Sequence, residues 1–382
     1  MSKCIKVSLD VGYDGVKVAI EGEDKIMVHR YPSELLSSRT KELPEVQLGS
    51  AGAEDIVYKA AESSERYAVG ELAVRGKAGR IGQTDFTDDL RKVGPERFRS
   101  MQFRILALTS IAAMLVQNNI EDNVDIDLLV AVPHKYLNHV ADDVCKNLSG
   151  HHVLDMQVGE VKRAVKFYVV NVQTASQAIL ALVSYACDSD GSICNLDKND
   201  YPVLISDCGY GTCGLVVVEE GMLIDDTMSE SNEEYTMMRV NMNTAAAIND
   251  YIGKQGYYSC QAIEERMSSQ RDVDKIARYH SDRTGNYEEL DIVSYHKEQL
   301  RAVVDNEYDH IQKCFRPERI RKVLVAGGCG KAFYPVLQSK MTASHMFTKD
   351  QVVLNIPEYK GEEYDIVYGV AIGGLKLLNV LG

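Results

Sequence analysis

Short apolar runs broken by glycine-containing turns open the chain. Residues 4–10, 15–20 and 25–29 are rich in β-branched and aliphatic side chains, with a Gly-Glu-Asp turn before the third run, and predict three strands of a meander. Residues 33–95 are more polar and weakly periodic; they read as a peripheral insertion with short strands at 46–48, 55–58 and 66–68. Apolar positions at helical spacing then predict a long helix over 98–119 that buries Phe103, Leu106, Met114 and Leu115. A buried strand over 126–132 ends at Pro133, and helix 135–148 ends near Gly150. Strands 153–158 and 164–172 and a helix over 174–187 follow, then a polar loop, Asp188–Asp200.

The meander pattern then returns. Strands are expected at 202–207, 213–219 and 222–226, a mostly helical stretch at 240–315 with a polar patch near Ser281–Glu288, and a strand at 322–326 entering Gly327-Gly328-Cys329-Gly330. Strand 351–354 and helix 365–379 close the pattern. The repeat is also written in residues. Residues 8–21 (SLDVGYDGVKVAIE) and 205–218 (ISDCGYGTCGLVVV) share their framework at a spacing of 197, aligning Asp10 with Asp207, Gly12 with Gly209 and Tyr13 with Tyr210. Each copy is an apolar strand ending in Asp, a glycine-containing turn and a second apolar strand. Each half is thus a meander followed by helices and further strands, a mixed α/β duplication.

Bulk composition narrows the classes. With 382 residues, 45% hydrophobic and 26% charged, the chain is long enough for two domains with large cores. A net charge of −14 argues against a general basic surface for nucleic acid. Nine scattered cysteines argue against a disulfide framework and suggest reduced thiols and a cytoplasmic location. Cys208 and Cys213 flank the second glycine-rich turn, but no CxxC pair or histidine cluster accompanies them, so they read as small apolar filler rather than metal ligands. The N-terminus lacks the apolar core of a signal peptide, and no run approaches the ~18 apolar residues of a membrane span.

Glycines in such a turn let backbone N–H groups approach an anion closely. In the first copy Gly12 and Gly15 allow this around Tyr13 and Asp14, and Lys17 on the outgoing strand carries an ammonium expected within reach of β- or γ-phosphate oxygens. One copy alone is also compatible with an ordinary polar hairpin. The second copy, with Gly209, Tyr210, Gly211, Thr212 and Gly214, has more glycine than a hairpin needs. Asp207 ends the apolar run Val203-Leu204-Ile205, where a carboxylate is costly unless paired or near a metal. Asp10 and Asp207 are therefore candidates to hold a magnesium ion through its waters. The turn Gly327, Gly328, Cys329, Gly330 suits close approach to a purine, or equally a helix N-terminal turn.

The order of these motifs resembles the actin, sugar kinase and heat-shock chaperone superfamily: phosphate loop at 10–17, connecting helix at 174–187, phosphate loop at 207–214, adenosine loop at 327–330 and a second connecting helix at 365–379. Within it the chain looks most like the bacterial ParM-type plasmid-segregation actins. The stretch Val130-Ala131-Val132-Pro133-His134-Lys135-Tyr136 and the closing Tyr368-Gly369-Val370-Ala371-Ile372-Gly373-Gly374 carry that likeness. Tyr13 and Asp14 depart from the small residues usual in the first loop, and Arg239–Thr244 lacks the double glycine that often opens the next helix.

The resemblance implies two similar actin-like, ribonuclease H-like domains with a nucleotide cleft between them. Domain I is expected over 1–172, with the insertion at about 33–95, completed by 365–382; domain II is expected over 173–364, with a peripheral helical part at about 228–300. ATP or GTP with Mg2+ is the implied cofactor. In actins a Gln or Glu at the start of the first connecting helix orients the attacking water, which nominates Gln177, with Gln173 the rival if the helix starts sooner. Ribose contacts fall to Glu264 and Lys275 as candidates. The implied function is a slow nucleotide hydrolase that assembles with itself into dynamic filaments and segregates plasmid DNA through an adaptor protein bound to a centromere-like site, with no direct nucleic-acid or membrane contact. Alternatives are a small-molecule kinase of the same superfamily, disfavoured because no Asp base lies between Phe167 and Tyr185, a chaperone, which would need a further peptide-binding domain, and a cell-shape or other bacterial cytoskeletal actin.

Overall fold

A computed structural model describes residues 4–22, 25–38, 43, 55–59, 65–78, 94–281 and 284–381. The strand expected at 46–48 lies outside them. The chain forms two compact units, residues 1–198 with 355–382 and residues 199–354.

Among the described residues the first unit is built on a nine-stranded sheet. Strands β1 (Cys4–Val11), β2 (Gly15–Glu21) and β3 (Ile26–Pro32) form the antiparallel meander that the sequence predicts. Short strands β4 (Leu35–Ser37), β5 (Ile56–Lys59) and β6 (Arg66–Val69) precede helix α1 (Glu71–Ala78). Helix α2 (Met101–Gln117) starts where the Ser100 side chain accepts a hydrogen bond from Phe103 N, which satisfies one of the helix's orphan donors. Strand β7 (Val124–Val132) lies parallel to β1, helix α3 (Leu137–Leu148) follows, and the hairpin β8 (Gly150–Val158) and β9 (Val161–Ser176) leads into helix α4 (Gln177–Ala186). The sheet order is β3-β2-β1-β7-β9-β8-β5-β6-β4.

Strand alternation positions the first bend. Val7, Leu9 and Val11 of β1 and Val16, Val18 and Ile20 of β2 join the core that contains Phe103 and Leu106 of α2. The opposite face carries Ser8, Asp10 and Lys17, because successive strand residues alternate sides. C-terminal helix α9 (Gly369–Leu381) covers that face. A Cβ on Gly373 would overlap the Leu180 carbonyl of α4, and one on Gly374 would overlap Ser8 Oγ, so small residues are required there.

The helix expected over 174–187 begins only at Gln177. The ladder of β9 against β7 continues through Val132 and Ser176, and backbone pairing in the parallel sheet overrides the local helical pattern. Residues 173–198 consequently fold with the first unit rather than the second, because β9 runs directly into α4 and α4 packs along α9.

The second unit repeats the meander as β10 (Val203–Cys208), β11 (Cys213–Glu219) and β12 (Leu223–Asn232), in a five-stranded sheet. The third strand is longer than expected, continuing to Asn232 past a register shift between Val216 and Val218. Helices α5 (Met237–Ile252) and α6 (Cys260–Ser268) follow. Gly253 ends α5 at φ 68, a left-handed cap that glycine adopts freely. The stretch read as mostly helical contains a hairpin, β13 (Ile276–His280) with β14 (Tyr287–Asp291), before helix α7 (Ile292–Cys314). The polar patch expected near Ser281–Glu288 falls at the turn end of this hairpin, where Ser281 N donates to Asn286 O at 2.9 Å and β14 begins at Tyr287. Strand β15 (Lys322–Ala326) lies parallel to β10, helix α8 (Gly330–Ala343) follows, and β16 (Val352–Leu354) completes the sheet in the order β12-β11-β10-β15-β16.

Candidate functional site

The two aspartate–glycine bends fold alike. In the first unit Gly12 N donates to Gly15 O at 3.0 Å; in the second, Gly209 N donates to Thr212 O at 3.0 Å. Both closures leave four-residue loops between paired strands. A Cβ on Gly12 would come within 2.6 Å of Lys17 Nζ, and one on Gly209 within 2.6 Å of Thr212 O. At Gly209 the obstacle is backbone and leaves space only for hydrogen; at Gly12 it is the movable end of Lys17, with the Gly15 carbonyl behind it at 3.0 Å.

At the first bend Asp10 pairs with Lys17 across the β1–β2 ladder. Lys17 Nζ stands 3.5 Å from Asp10 Oδ2, and Gln177 Nε2, from the first residue of α4, donates to Asp10 Oδ1 at 2.8 Å. Asp10 is 6% exposed and Lys17 8%, so the carboxylate is compensated from both sides. Asp14 receives Arg30 Nη2 at 2.5 Å. Tyr13 lies against the Arg97 guanidinium, 4.3 Å from ring centroid to Cζ.

Arg97, Ser33 and Arg30 were not legible as site residues. Arg97 Nη2 donates to Gly12 O at 2.5 Å, and Ser33 Oγ donates to the same carbonyl at 2.6 Å. Two donors thus fix the bend's carbonyl from outside the hairpin. Burial pushes the Arg97 guanidinium below its ordinary pKa, while Tyr13 and Asp10 oppose that shift. Arg97 sits in a 3-10 turn, Pro95–Arg99, 85 residues from Gly12; no local pattern announces such a long-range contact.

Gln173 and Gln177 are separated by the fold. Gln173 lies within β9, in register with Leu129, whereas Gln177 opens α4 and reaches Asp10.

At the second bend Asp207 is in register with Gly214, the ladder position that Lys17 holds opposite Asp10 in the first bend. The third glycine-rich turn is fastened here. Cys329 N donates to Cys208 O at 3.0 Å, and Gly327, at φ +82, lies so near that a Cβ would overlap Cys208 O and come within 2.6 Å of Asp207 Oδ1. Gly328 continues the turn and Gly330 begins α8. Met238 N donates to Tyr210 O at 2.9 Å, tying the bend to the start of α5. The Tyr210 hydroxyl donates to Glu264 Oε2 at 2.5 Å, and burial followed by the nearby Glu264 charge pushes its pKa strongly up. Glu264 therefore joins this bend; Lys275 faces Asp272 at 3.6 Å instead.

On the opposite face of the second sheet, Ser206, Cys208 and Cys213 meet Glu307 of α7. Ser206 Oγ donates to Glu307 Oε1 at 2.6 Å and lies 3.2 Å from Cys208 Sγ. Glu307 is fully buried, and burial raises its pKa to about 7 against the opposing Ser206 hydrogen bond.

Among the described residues no helix is long and apolar enough to cross a membrane. Residues 8–179 match the family model of the N-terminal domain of actin-like proteins. A search of curated protein sequences found no match. Solved structures are similar over nearly the whole chain. The actin-like protein Alp7A has a TM-score of 0.67 at 14% identity, covering 99% of this chain and 97% of its own. A subunit of the 15-stranded ParM filament from Clostridium botulinum has a TM-score of 0.68 at 16% identity, covering 98% and 99%. The Bacillus thuringiensis ParM with ATP has a TM-score of 0.62 at 14% identity, covering 99% and 100%. At these identities the likeness establishes the fold, an actin-like one.

Proposed function

We propose, from the premise that this chain is an actin-like protein, matched as such over residues 8–179, that it binds a nucleoside triphosphate with magnesium, hydrolyses it slowly and assembles into filaments. The observation that carries this reading is the pair of aspartate-rooted bends closed by the same N–H···O bond. In this reading the first unit serves as domain I and the second as domain II, and each contributes one phosphate-binding bend.

The residues present suit such a ligand. Glycines 12 and 209 leave backbone where a Cβ would intrude, and Lys17 supplies an ammonium beside the first bend. Backbone amides and a cation are the donor set that phosphate requires. Asp10 and Asp207 would hold magnesium through its waters; the ion would neutralise phosphate charge. Tyr210 and Glu264 would contact the nucleoside side of the ligand, with Lys275 a remoter candidate, and Gly327, Gly328, Cys329 and Gly330 would lie against the base. Gln177 is anchored on Asp10, so its amide is held at the root of the bend. An amide does not accept a proton at neutral pH. It orients water rather than acting as a base, which accords with slow turnover.

Similar folds include a filament subunit and a ParM with ATP, which supports self-assembly. A head-to-tail contact that does not close by rotation yields an open polymer. The further role in this reading is plasmid DNA segregation through a separate adaptor, consistent with a net charge of −14, which disfavours direct DNA contact. Sedimentation and electron microscopy with ATP or GTP and magnesium, alongside phosphate release, test the proposal. Nucleotide-dependent filaments are expected. A chain that stays soluble and monomeric at high concentration with every nucleotide would remove the filament reading.

A further inference from the structure

We propose that Cys208, Cys213 and Glu307 form a binding site for a thiophilic divalent cation of the zinc class, beneath the second bend. The cluster lies within the second unit and on the sheet face opposite Asp207, so it is separate from any magnesium held at the bend. The inference does not depend on nucleotide binding.

Three features converge. First, Cys208 and Cys213 are directly opposed on β10 and β11. The bond from Gly209 N to Thr212 O makes the next residue pair outward a non-hydrogen-bonded one, where Cα atoms approach to ~4.5 Å and side chains come together. Both thiols are fully buried. Second, α7 delivers a carboxylate to the same point. The two sulfurs and a Glu307 oxygen all lie within 4.8 Å of one another. Tetrahedral zinc, with Zn–S near ~2.3 Å and Zn–O near ~2.0 Å, sets its donors roughly 3.5–3.8 Å apart, so closing on an ion needs movements of about 1 Å.

Third, Glu307 is half satisfied. Ser206 holds Oε1 at 2.6 Å, while the buried Oε2 has no hydrogen-bond partner among the described residues. A carboxylate oxygen left alone in an apolar core carries a desolvation penalty, and a cation at this point would relieve it. Val303, Val304, Tyr308 and Ile311 of the same helix pack in the surrounding core, so an isosteric apolar side chain would be the cheaper filler. Simple packing, or a thiol pair destined for a disulfide, accounts for the sulfurs but not for the carboxylate. Two thiolates select zinc-class ions over magnesium or calcium. Ser206 orients the carboxylate from behind, as outer-shell donors do at metal centres, and its Oγ, 3.2 Å from Cys208 Sγ, is the nearest further donor. A bound ion would tie α7 to both strands of the bend.

Cobalt titration of the reduced, metal-stripped full chain tests this directly. One equivalent of Co2+ should give a thiolate-to-metal charge-transfer band, and Zn2+ should displace it. Zinc, but not magnesium, should raise the thermal unfolding midpoint. The double variant Cys208→Ala/Cys213→Ala should lose the band, while Cys194→Ala, altering an exposed thiol, should keep it. Glu307→Gln, nearly isosteric and independent of the cysteine pair for its folding, should keep the band but weaken Co2+ binding at least tenfold. Absence of the band from the reduced wild-type chain, its survival in the double variant, or unchanged affinity in Glu307→Gln would overturn the assignment. None of these readouts involves nucleotide or filaments, so they stand apart from the function proposed above.

Discussion

Gln177 and Asp10, 167 residues apart, are joined by a 2.8 Å hydrogen bond. The bond exists because β9 continues to Ser176, so that α4 starts beside the end of β1. In the proposed reaction it fixes the amide that orients water. Gln177→Ala should slow phosphate release at least tenfold, a floor below the ~10²-fold that misplacing a reacting group by about 1 Å costs, with nucleotide affinity changed only a few-fold. Gln173→Ala, within the β7–β9 ladder, should hydrolyse normally. The reverse pattern in a phosphate-release assay would reassign the role.

Arg97 and Tyr13 should act as one unit on the first bend. The guanidinium holds Gly12 O and stacks on the Tyr13 ring. Arg97→Met removes a charge-assisted bond to a carbonyl, which costs about 1.5–3 kcal/mol. Tyr13→Ala removes the cation–π contact, about 0.5–2 kcal/mol. In urea unfolding, the double variant should be less destabilised than the sum of the singles, by a coupling of about 0.5–2 kcal/mol. Strict additivity would show that the stacked geometry contributes nothing.

These two relationships mark how far the sequence was readable. The repeated meander, the bends at Gly12 and Gly209 and the strand into Gly327 are local: their signals are apolar runs and glycine placed a few residues apart, and each appears where expected. Phe103 and Leu106 were likewise legible from helical periodicity. The start of α4 was not, since pairing of β9 with β7 decides it. Arg97, Ser33 and Glu307 were not legible either, because each meets its partner only after the chain has closed a long loop. The hairpin 276–291 was hidden by polar residues that suit an exposed strand pair as well as a helix.

Glycine should be irreplaceable at two close approaches for different reasons. Gly327→Ala places a Cβ against Cys208 O and Asp207 at a left-handed φ of +82, combining backbone strain with a clash. Gly374→Ala drives a Cβ into Ser8 Oγ beneath α9. Overpacking of this kind costs typically about 1–3 kcal/mol. Chemical denaturation should show both losses, whereas Gly221→Ala, which meets no neighbour within 4 Å but shares a positive φ of +81, isolates the backbone component at about 1 kcal/mol. Equal losses at all three sites would show that the packing contacts are unimportant.

Two buried histidines should make the fold acid-sensitive in a defined direction. His296 is 7% exposed, with Nε2 3.1 Å from Asn241 Oδ1, and burial lowers its pKa. His152 is 6% exposed, with Nε2 2.8 Å from Leu148 O. Burial chiefly lowers its pKa too, helped by Arg104 and His151 and opposed by the Leu148 carbonyl. In both cases the folded state favours the neutral ring. Their stabilising contribution is complete above the unfolded histidine value of ~6.5 and is lost as pH falls from there through the lowered folded-state values. Each adds at most about 1.4 kcal/mol per pH unit to the slope across that interval. Urea midpoints measured between neutral and mildly acidic pH should therefore fall with acidification. His296→Gln should flatten the dependence while keeping a donor for Asn241. A variant as acid-sensitive as the parent would place the titrating group elsewhere.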